Sequence, residues 1–510
     1  MAETPGEVAV PDRSSGAWAT GLALAALGPA SRLALYARAN ADALASPRPV
    51  LVVALAAAVV GVAVAIAVAR PRVRSPAAVG AVVGTIGHLG FGAAVFGDGV
   101  ATRPLLWALA CAVVGFGVAD LARRRWSAIC LVVLALATTA IGVVGAVADR
   151  SSVATTDEAD VASVARRPDV WLLIADGLGR ADQLDAVVGH DATGFGAELA
   201  QRGFQVDPSA TVGYGETHWS MVSLLQQEYP AEDGPSSAVR PASARPVVQG
   251  DNRTVRHLTA AGYRYVHASP GLIDWLACHP GRADRCIEPD DDGRAVRWSE
   301  ASRSLVDLTP LGPLVRATDG LAGGVADPVS VVDRVLDGRS DAGDGPMFVY
   351  AHLLSPHPPY RFDERCRLRA EPIGDVAVGW DDQHRAPYAA QTACLEQQLL
   401  EAVDRIRADD PEAIVVIAGD HGPAFGMDFG PLSMFTPELL AERFTAFRAL
   451  ALPEACRTDD PRASALVNVF RLVEACLRAE EPDLLPARAF VTFGPTVEEV
   501  DPALVASWTE

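Results

Sequence analysis

Val170-Trp171-Leu172-Leu173-Ile174-Ala175 is a short apolar run that ends on the carboxylate of Asp176. Two later runs have the same shape. Met347-Phe348-Val349-Tyr350-Ala351 reaches His352, with His357 five residues on. Ala413-Ile414-Val415-Val416-Ile417-Ala418 reaches Asp420 and His421. Apolar runs of this length, without alternation, read as strands buried on both faces of a parallel sheet. In open α/β sheets the ligand site lies beyond the carboxyl ends of the strands. The three runs therefore bring Asp176, His352 or His357, Asp420 and His421 to one sheet edge. A fourth stretch, Gly215-Glu216-Thr217-His218-Trp219-Ser220, opens a helix-like segment that runs to Gln227. A hydroxyl at a helix N-terminus beside a metal is a suitable nucleophile for an anionic ester, because both attract the incoming negative charge.

The chain divides by charge. It has 510 residues and no Lys, so its 43 basic residues are all Arg. Residues 1–150 hold 12 Arg against 7 acidic residues, and the rest holds 31 against 56, giving +5 and −25, which sum to the −20 of the whole. A second half this acidic lacks the basic face that nucleic-acid binding needs. The first half carries apolar stretches near 17–37, 49–69, 77–97, 104–121 and 126–148. Each approaches the ~20 residues of a membrane span. Arg32 interrupts the first. Arg70, Arg72 and Arg74 fill one tight loop and Arg123, Arg124 and Arg125 another, two spans apart. The positive-inside rule puts both in the cytoplasm and everything after Asp149 outside. Gly80 and Gly84 suit close helix contact, and His88 within a span reads as a packing or interfacial group.

The expected architecture is thus α/β: a transmembrane domain of about five helices over 1–150, a polar linker over 151–167, and an extracytoplasmic, doubly wound, mostly parallel sheet domain over 168–510. Helices are expected over 193–203, 252–261, 328–336, 387–406 and 465–477, with strands over 263–268 and 445–452, and loops over 270–325. Asp327 is placed as an N-cap with Pro328 at the first helical position. Six cysteines fall in the outer half, and an even number in an oxidising compartment suggests disulfides. Sequence order favours Cys278 with Cys286, Cys366 with Cys394, and Cys456 with Cys476, although six cysteines allow 15 connectivities. Cys111 and Cys130 lie in spans and are expected unpaired.

Each candidate site residue also has a plainer reading. Asp176-Gly177 is an ordinary turn signal. Thr217 alone is most often a helix cap. His352 can be a buried histidine with a partner. Asp420-His421-Gly422-Pro423 is more specific, since two good metal ligands directly after a buried strand are poor packing material.

Taken together, the chain resembles the alkaline phosphatase and sulfatase superfamily, and within it the membrane-anchored sulfatase-like branch of lipoteichoic acid synthases and phosphoethanolamine transferases. The resemblance spans about 168–495. It rests on Pro168-Asp-Val-Trp-Leu-Leu-Ile-Ala-Asp-Gly177, Thr217-His-Trp-Ser220, Asp251-Asn-Arg-Thr-Val-Arg256, His352-Leu-Leu-Ser-Pro-His-Pro-Pro-Tyr360, Gly419-Asp-His-Gly-Pro423 and Val467-Asn-Val-Phe-Arg471. It implies that Asp176, Thr217, Asp420 and His421 hold one divalent metal ion (Mn, Mg, Zn or Ca). Thr217 is then the nucleophile, and His357 or His352 binds the substrate anion. It also implies a transferase moving a phosphoglycerol- or phosphoethanolamine-like group onto an envelope glycan or lipid, with membrane lipids and glycans as partners. The alternative is a hydrolase of phosphate or sulfate esters outside the membrane. A catalytically inert membrane protein is disfavoured by the intact ligand set. The chain departs from formylglycine sulfatases, which carry Cys or Ser in a Cys/Ser-x-Pro-x-Arg motif; here Thr217 is followed by His218, Trp219, Ser220 and Met221.

Overall fold

A computed structural model describes residues 13–39, 48–68, 75–96, 102–148, 167–230, 241–270, 273–288, 305–306, 308–314, 327–339, 345–374, 380–426, 429–493 and 496–509. The chain forms two compact units, 1–150 with 298–320, and 151–297 with 321–510. The loop of Arg70, Arg72 and Arg74 and nearly all of the 151–167 linker lie outside the described residues.

The first unit is helical: Arg13–Ala39, Arg48–Val68, Pro76–Gly90, Thr102–Ala122 and Arg125–Ala148. Three of these contain stretches long and apolar enough to cross a membrane, Val50–Val68, Thr102–Ala122 and Trp126–Gly145. The first and third expected spans do form helices. The first, however, carries Pro29 and Arg32, and the third has 15 residues, short of a full crossing. Gly80 and Gly84 act as expected, since a Cβ on either would strike the backbone of Gly21 or Leu24 on the first helix. His88 has a packing role there: its Nδ1 lies 3.1 Å from Gly28 O and 3.2 Å from Ser31 Oγ.

Among the described residues the second unit has eleven strands: β1 (Val170–Ala175), β2 (Gln205–Val206), β3 (Arg264–Ala268), β4 (Arg285–Ile287), β5 (Met347–Leu353), β6 (Tyr360–Phe362), β7 (Leu368–Ile373), β8 (Ile414–Gly419), β9 (Arg448–Ala451), β10 (Phe490–Phe493) and β11 (Thr496–Glu499). Seven form one sheet in the order β2-β9-β8-β1-β5-β3-β4. From β8 to β4 the pairs are parallel; at the other edge β9 pairs antiparallel with β8, and β2 antiparallel with β9. The central strand shows why its sequence does not alternate. Leu172 and Ile174 face one layer, with Met221, Val222, Phe470 and Val473. Trp171 and Leu173 face the other, with Leu395, Leu399, Val331 and Val335. Both faces are covered by helices, as a doubly wound sheet requires.

Local signals behave as their chemistry dictates. Asp327 caps the helix Pro328–Asp337 by accepting from Ser330 N–H at 3.0 Å. Asn252 accepts from Val255 N–H at 2.8 Å and so precedes its helix, Arg253–Ala260, as the cap. The disulfides are Cys278–Cys286, Cys366–Cys394 and Cys456–Cys476, while Cys111 and Cys130 are free.

Candidate metal centre and active site

β1 and β8 are paired in register, with Ala175 opposite Gly419. The next residue on each strand is therefore Asp176 or Asp420, and the two carboxylates meet beyond the sheet edge. Gly177 makes the turn between them possible. Its φ of +73° suits glycine, and a Cβ there would meet the Trp380 ring at 3.1 Å. Its N–H donates to Asp420 Oδ1 at 3.0 Å. On the other side of β1, His352 of β5 lies opposite Ile174, and its Nε2 is 3.2 Å from Asp176 Oδ2.

Each carboxylate thus spends one oxygen on the protein. The remaining two, Asp176 Oδ1 and Asp420 Oδ2, are buried and find no hydrogen-bond partner among the described residues. They lie 3.5 and 3.4 Å from His421 Nε2. Asp176, Asp420 and His421 each offer one ligand atom, all within 4.8 Å of one another. Thr217 Oγ1 joins the group at 3.1 Å from His421 Nε2. Two orphaned anionic oxygens, an imidazole nitrogen and a hydroxyl converging in a buried space fit a divalent cation, whose charge offsets both carboxylates.

The surroundings bias the protonation states the same way. Burial alone would raise the Asp176 carboxyl, but the neighbouring His357 and the hydrogen bond from His352 outweigh it and hold the group below the usual carboxylate range. Burial and the Arg443 guanidinium lower His421, which keeps the imidazole neutral, as a ligand must be. His421 Nδ1 lies 2.9 Å from Gly422 O and 3.0 Å from Arg443 Nη1. Arg443 only donates, so Nδ1 is either a donor to Gly422 O or an acceptor from Arg443. The first tautomer leaves the Nε2 lone pair aimed at the carboxylate oxygens and suits a bound cation.

Thr217 is the first residue of the helix Thr217–Gln226, not its cap. Glu216 holds the cap position, without a side-chain cap bond. The Thr217 hydroxyl turns instead to His421. Ser220, one turn along, is buried and donates to Asp420 O at 2.5 Å, which fastens the helix to the turn that carries Asp420 and His421. His352 is fully buried. Its Nε2 lies 3.2 Å from the Asp176 carboxylate, which only accepts, so Nε2 carries a proton toward Asp176, and Tyr350 Oη lies 2.9 Å from Nδ1. This puts His352 behind a ligand and out of reach of a substrate. His357 is placed differently. Its N–H donates to Asp176 O at 3.0 Å and its Nδ1 lies 2.8 Å from Pro358 O, so Nε2 is the atom left for a substrate. Gln391 donates to Pro356 O and His357 O, both at 3.2 Å, and Trp380 stands edge-on to the His357 ring at 5.2 Å.

Sequence reading missed Arg443, Tyr350, Gln391 and Trp380. Arg443 and Glu442 carried a faint signal: a charged pair closing an apolar helix just before a strand, here buried at the end of the helix Pro437–Phe444.

No curated protein matches the chain. Solved structures similar to it include the C-terminal periplasmic domain of EptC from Escherichia coli, at 11% identity over 68% of this chain and 96% of that one, with a TM-score of 0.41. The lipooligosaccharide phosphoethanolamine transferase EptA from Neisseria meningitidis is similar at 14% identity over 74% and 69%, with a TM-score of 0.41. The lipoteichoic acid synthase LtaP from Listeria monocytogenes is similar at 11% identity over 66% and 77%, with a TM-score of 0.38. The Sulfatase family model matches residues 168–438, more than half of the sequence and all four residues that converge at the sheet edge, and the chain belongs to this family of enzymes.

Proposed function

We propose that the chain is a multi-pass membrane enzyme whose outward-facing half transfers a phospho-group, phosphoglycerol- or phosphoethanolamine-like, to an envelope lipid or glycan. The observation that carries this reading is the Thr217 hydroxyl, directed at His421 Nε2 beside two orphaned carboxylate oxygens. Threonine is not the Cys or Ser that a formylglycine sulfatase carries at this place, so an unmodified hydroxyl is the available nucleophile.

Asp176, Asp420, His421 and Thr217 hold one divalent ion. When bound, the ion lowers the pKa of the Thr217 hydroxyl and offsets charge on the phosphoryl oxygens. Thr217 Oγ, its proton already released to solvent, forms the new bond to phosphorus as the alkoxide, and the bond from phosphorus to the leaving alcohol breaks. His357 Nε2 supplies the proton that the departing oxygen takes up. In the second half of the reaction an acceptor hydroxyl attacks phosphorus, gives its proton to His357 and frees Thr217. Water as acceptor makes the same site a phosphodiesterase.

Intact-mass analysis of the full chain after incubation with phospholipid extract and a divalent metal tests the reading. Expected is a phospho-adduct that maps to Thr217 and disappears on adding a glycan or lipid acceptor. Turnover of phosphodiesters by Thr217→Ala at the wild-type rate would overturn it.

A further inference from the structure

Residues 298–320 come from the middle of the second half of the sequence, yet they group with the helices of 1–150. The described part of this segment explains why. Leu305 is buried among Leu33, Ala37, Val50 and Ala54, with Leu308 and Phe91 beside them. Ala93 N–H donates to Leu308 O at 2.8 Å, and Ala93 O accepts from the buried Arg103 Nε at 3.0 Å.

These contacts all lie at one end of the bundle. Leu33 and Ala37 are in the last turns of Arg13–Ala39, and Val50 and Ala54 in the first turns of Arg48–Val68. Ala93 follows Pro76–Gly90, and Arg103 begins Thr102–Ala122. The helix Arg125–Ala148 ends here too, because Gly145 lies against Arg38. The opposite helix ends are Val68 and Pro76, which flank Arg70, Arg72 and Arg74 in sequence, and Ala122 and Arg125, which flank Arg123 and Arg124. The chain therefore returns to the end of the bundle from which it left, the end the positive-inside rule places outside.

Leu308-Thr309-Pro310-Leu311-Gly312-Pro313-Leu314 has no charged residue. Leu311 is 58% and Leu314 47% exposed, and Val95 in the adjoining turn is 78% exposed. On the helix Thr102–Ala122, whose Arg103 bonds the same turn, Leu105 and Leu109 are also exposed. Neutral leucines at the rim of a membrane bundle fit the boundary between acyl chains and headgroups, about 5–10 Å deep.

We propose that residues 305–306 and 308–314 form an interfacial strap: Leu305 and Leu308 are seated in the outer end of the bundle, and Leu311 and Leu314 enter the outer leaflet. The strap ties the second half of the sequence to the membrane at a second point, beyond the connection through 149–167. It rests on the reading of the bundle as membrane-spanning, and the test separates the two.

The full chain, with Cys111→Ser and Cys130→Ser, is reconstituted in phosphatidylcholine–phosphatidylglycerol vesicles. Single cysteines are introduced at Leu311→Cys, Leu314→Cys, Val133→Cys and Leu368→Cys and labelled with a bimane. Val133 is exposed on the last helix and Leu368 on the second unit. Nitroxide lipids and aqueous iodide are the quenchers. Expected is quenching by shallow nitroxide lipid at 311 and 314 severalfold above that at 368, with iodide quenching reduced to match. Lipid quenching at 133 together with iodide-only quenching at 311 and 314 would overturn the strap and leave the membrane reading standing. Protection from both quenchers at 311 and 314 would also overturn it, since protein would then cover them. Absence of lipid quenching at 133 would overturn the membrane reading itself, and the strap with it.

Discussion

Thr217 Oγ1 lies 3.1 Å from His421 Nε2 across 204 residues of sequence, while Glu216 takes the cap position of the helix that Thr217 begins. A capping threonine would cost about 1 kcal/mol when replaced by alanine. Here no cap bond is lost, so Thr217→Ala should leave the melting temperature nearly unchanged. The phosphodiesterase rate should fall by roughly a thousandfold or more, because the chemical step loses its nucleophile. Parallel melting and turnover measurements check this. A mutant that is fast but less heat-stable would return Thr217 to a structural role.

Asp176 and Asp420 make opposite contributions to binding and folding. Their orphaned oxygens place two like charges together in a buried space. Asp420→Asn should therefore weaken Mn2+ or Zn2+ binding in calorimetric titration while leaving the metal-free protein as heat-stable as wild type, or more so. A metal-free mutant that melts well below wild type would show that the carboxylate is needed for the fold itself.

His352 acts on the same centre through Asp176. Removing a group that orients a ligand typically costs 10–100-fold in metal affinity, so His352→Ala should lose about that much. Tyr350→Phe, which removes only the hydroxyl bonded to His352 Nδ1, should lose less. Calorimetric titration with the metal reads both. Wild-type affinity in His352→Ala would separate it from the site.

The sheet and the residues that cluster at its edge were legible in the sequence for one reason. β1, β5 and β8 are buried on both faces, so they are written as largely apolar runs, and Asp176 and Asp420 are the first polar residues after β1 and β8. Strands of two to four residues, such as β2, β4, β10 and β11, are too short to show a period. The supporting shell was hidden for another reason. Arg443, Gln391 and Trp380 reach the centre from elements far away in sequence, and only the tertiary fold brings them there. His352 shows the limit of strand-end logic: it lies on β5 with Asp176 beside it, and burial assigns it to the carboxylate.

A pH effect on stability is expected away from the site. His190 Nε2 lies 2.9 Å from Glu396 Oε1 on the helix Arg385–Asp409, and that bond raises the His190 pKa. A raised folded pKa favours the protonated ring in the folded state. The stabilisation is then complete below the unfolded value, about 6.5, and is lost as pH rises through the folded value. Glu396→Gln should cost about 0.5–1.5 kcal/mol at pH 6 and less at pH 9, by denaturant unfolding of the metal-free protein. An equal cost at both pH values would remove the charge from this contact.

Orientation is the last expectation, and two independent features set it. Arg123 and Arg124 join the helix Thr102–Ala122 to the helix Arg125–Ala148, which Arg125 opens and which carries the chain to the opposite end of the bundle. Residues 305–306 and 308–314 meet the bundle at that same opposite end. If the arginines stay in the cytoplasm, the second half of the chain is outside, where its six cysteines oxidise to the three observed disulfides. A phosphatase reporter that works only outside the cytoplasm, fused after Glu510, should be active. Replacing Arg123, Arg124 and Arg125 with Ala should lower the active fraction, and adding arginines after Asp149 should lower it further. A fusion that is active only as a cytoplasmic reporter would reverse the topology. It would also place the metal centre on the wrong side for envelope chemistry.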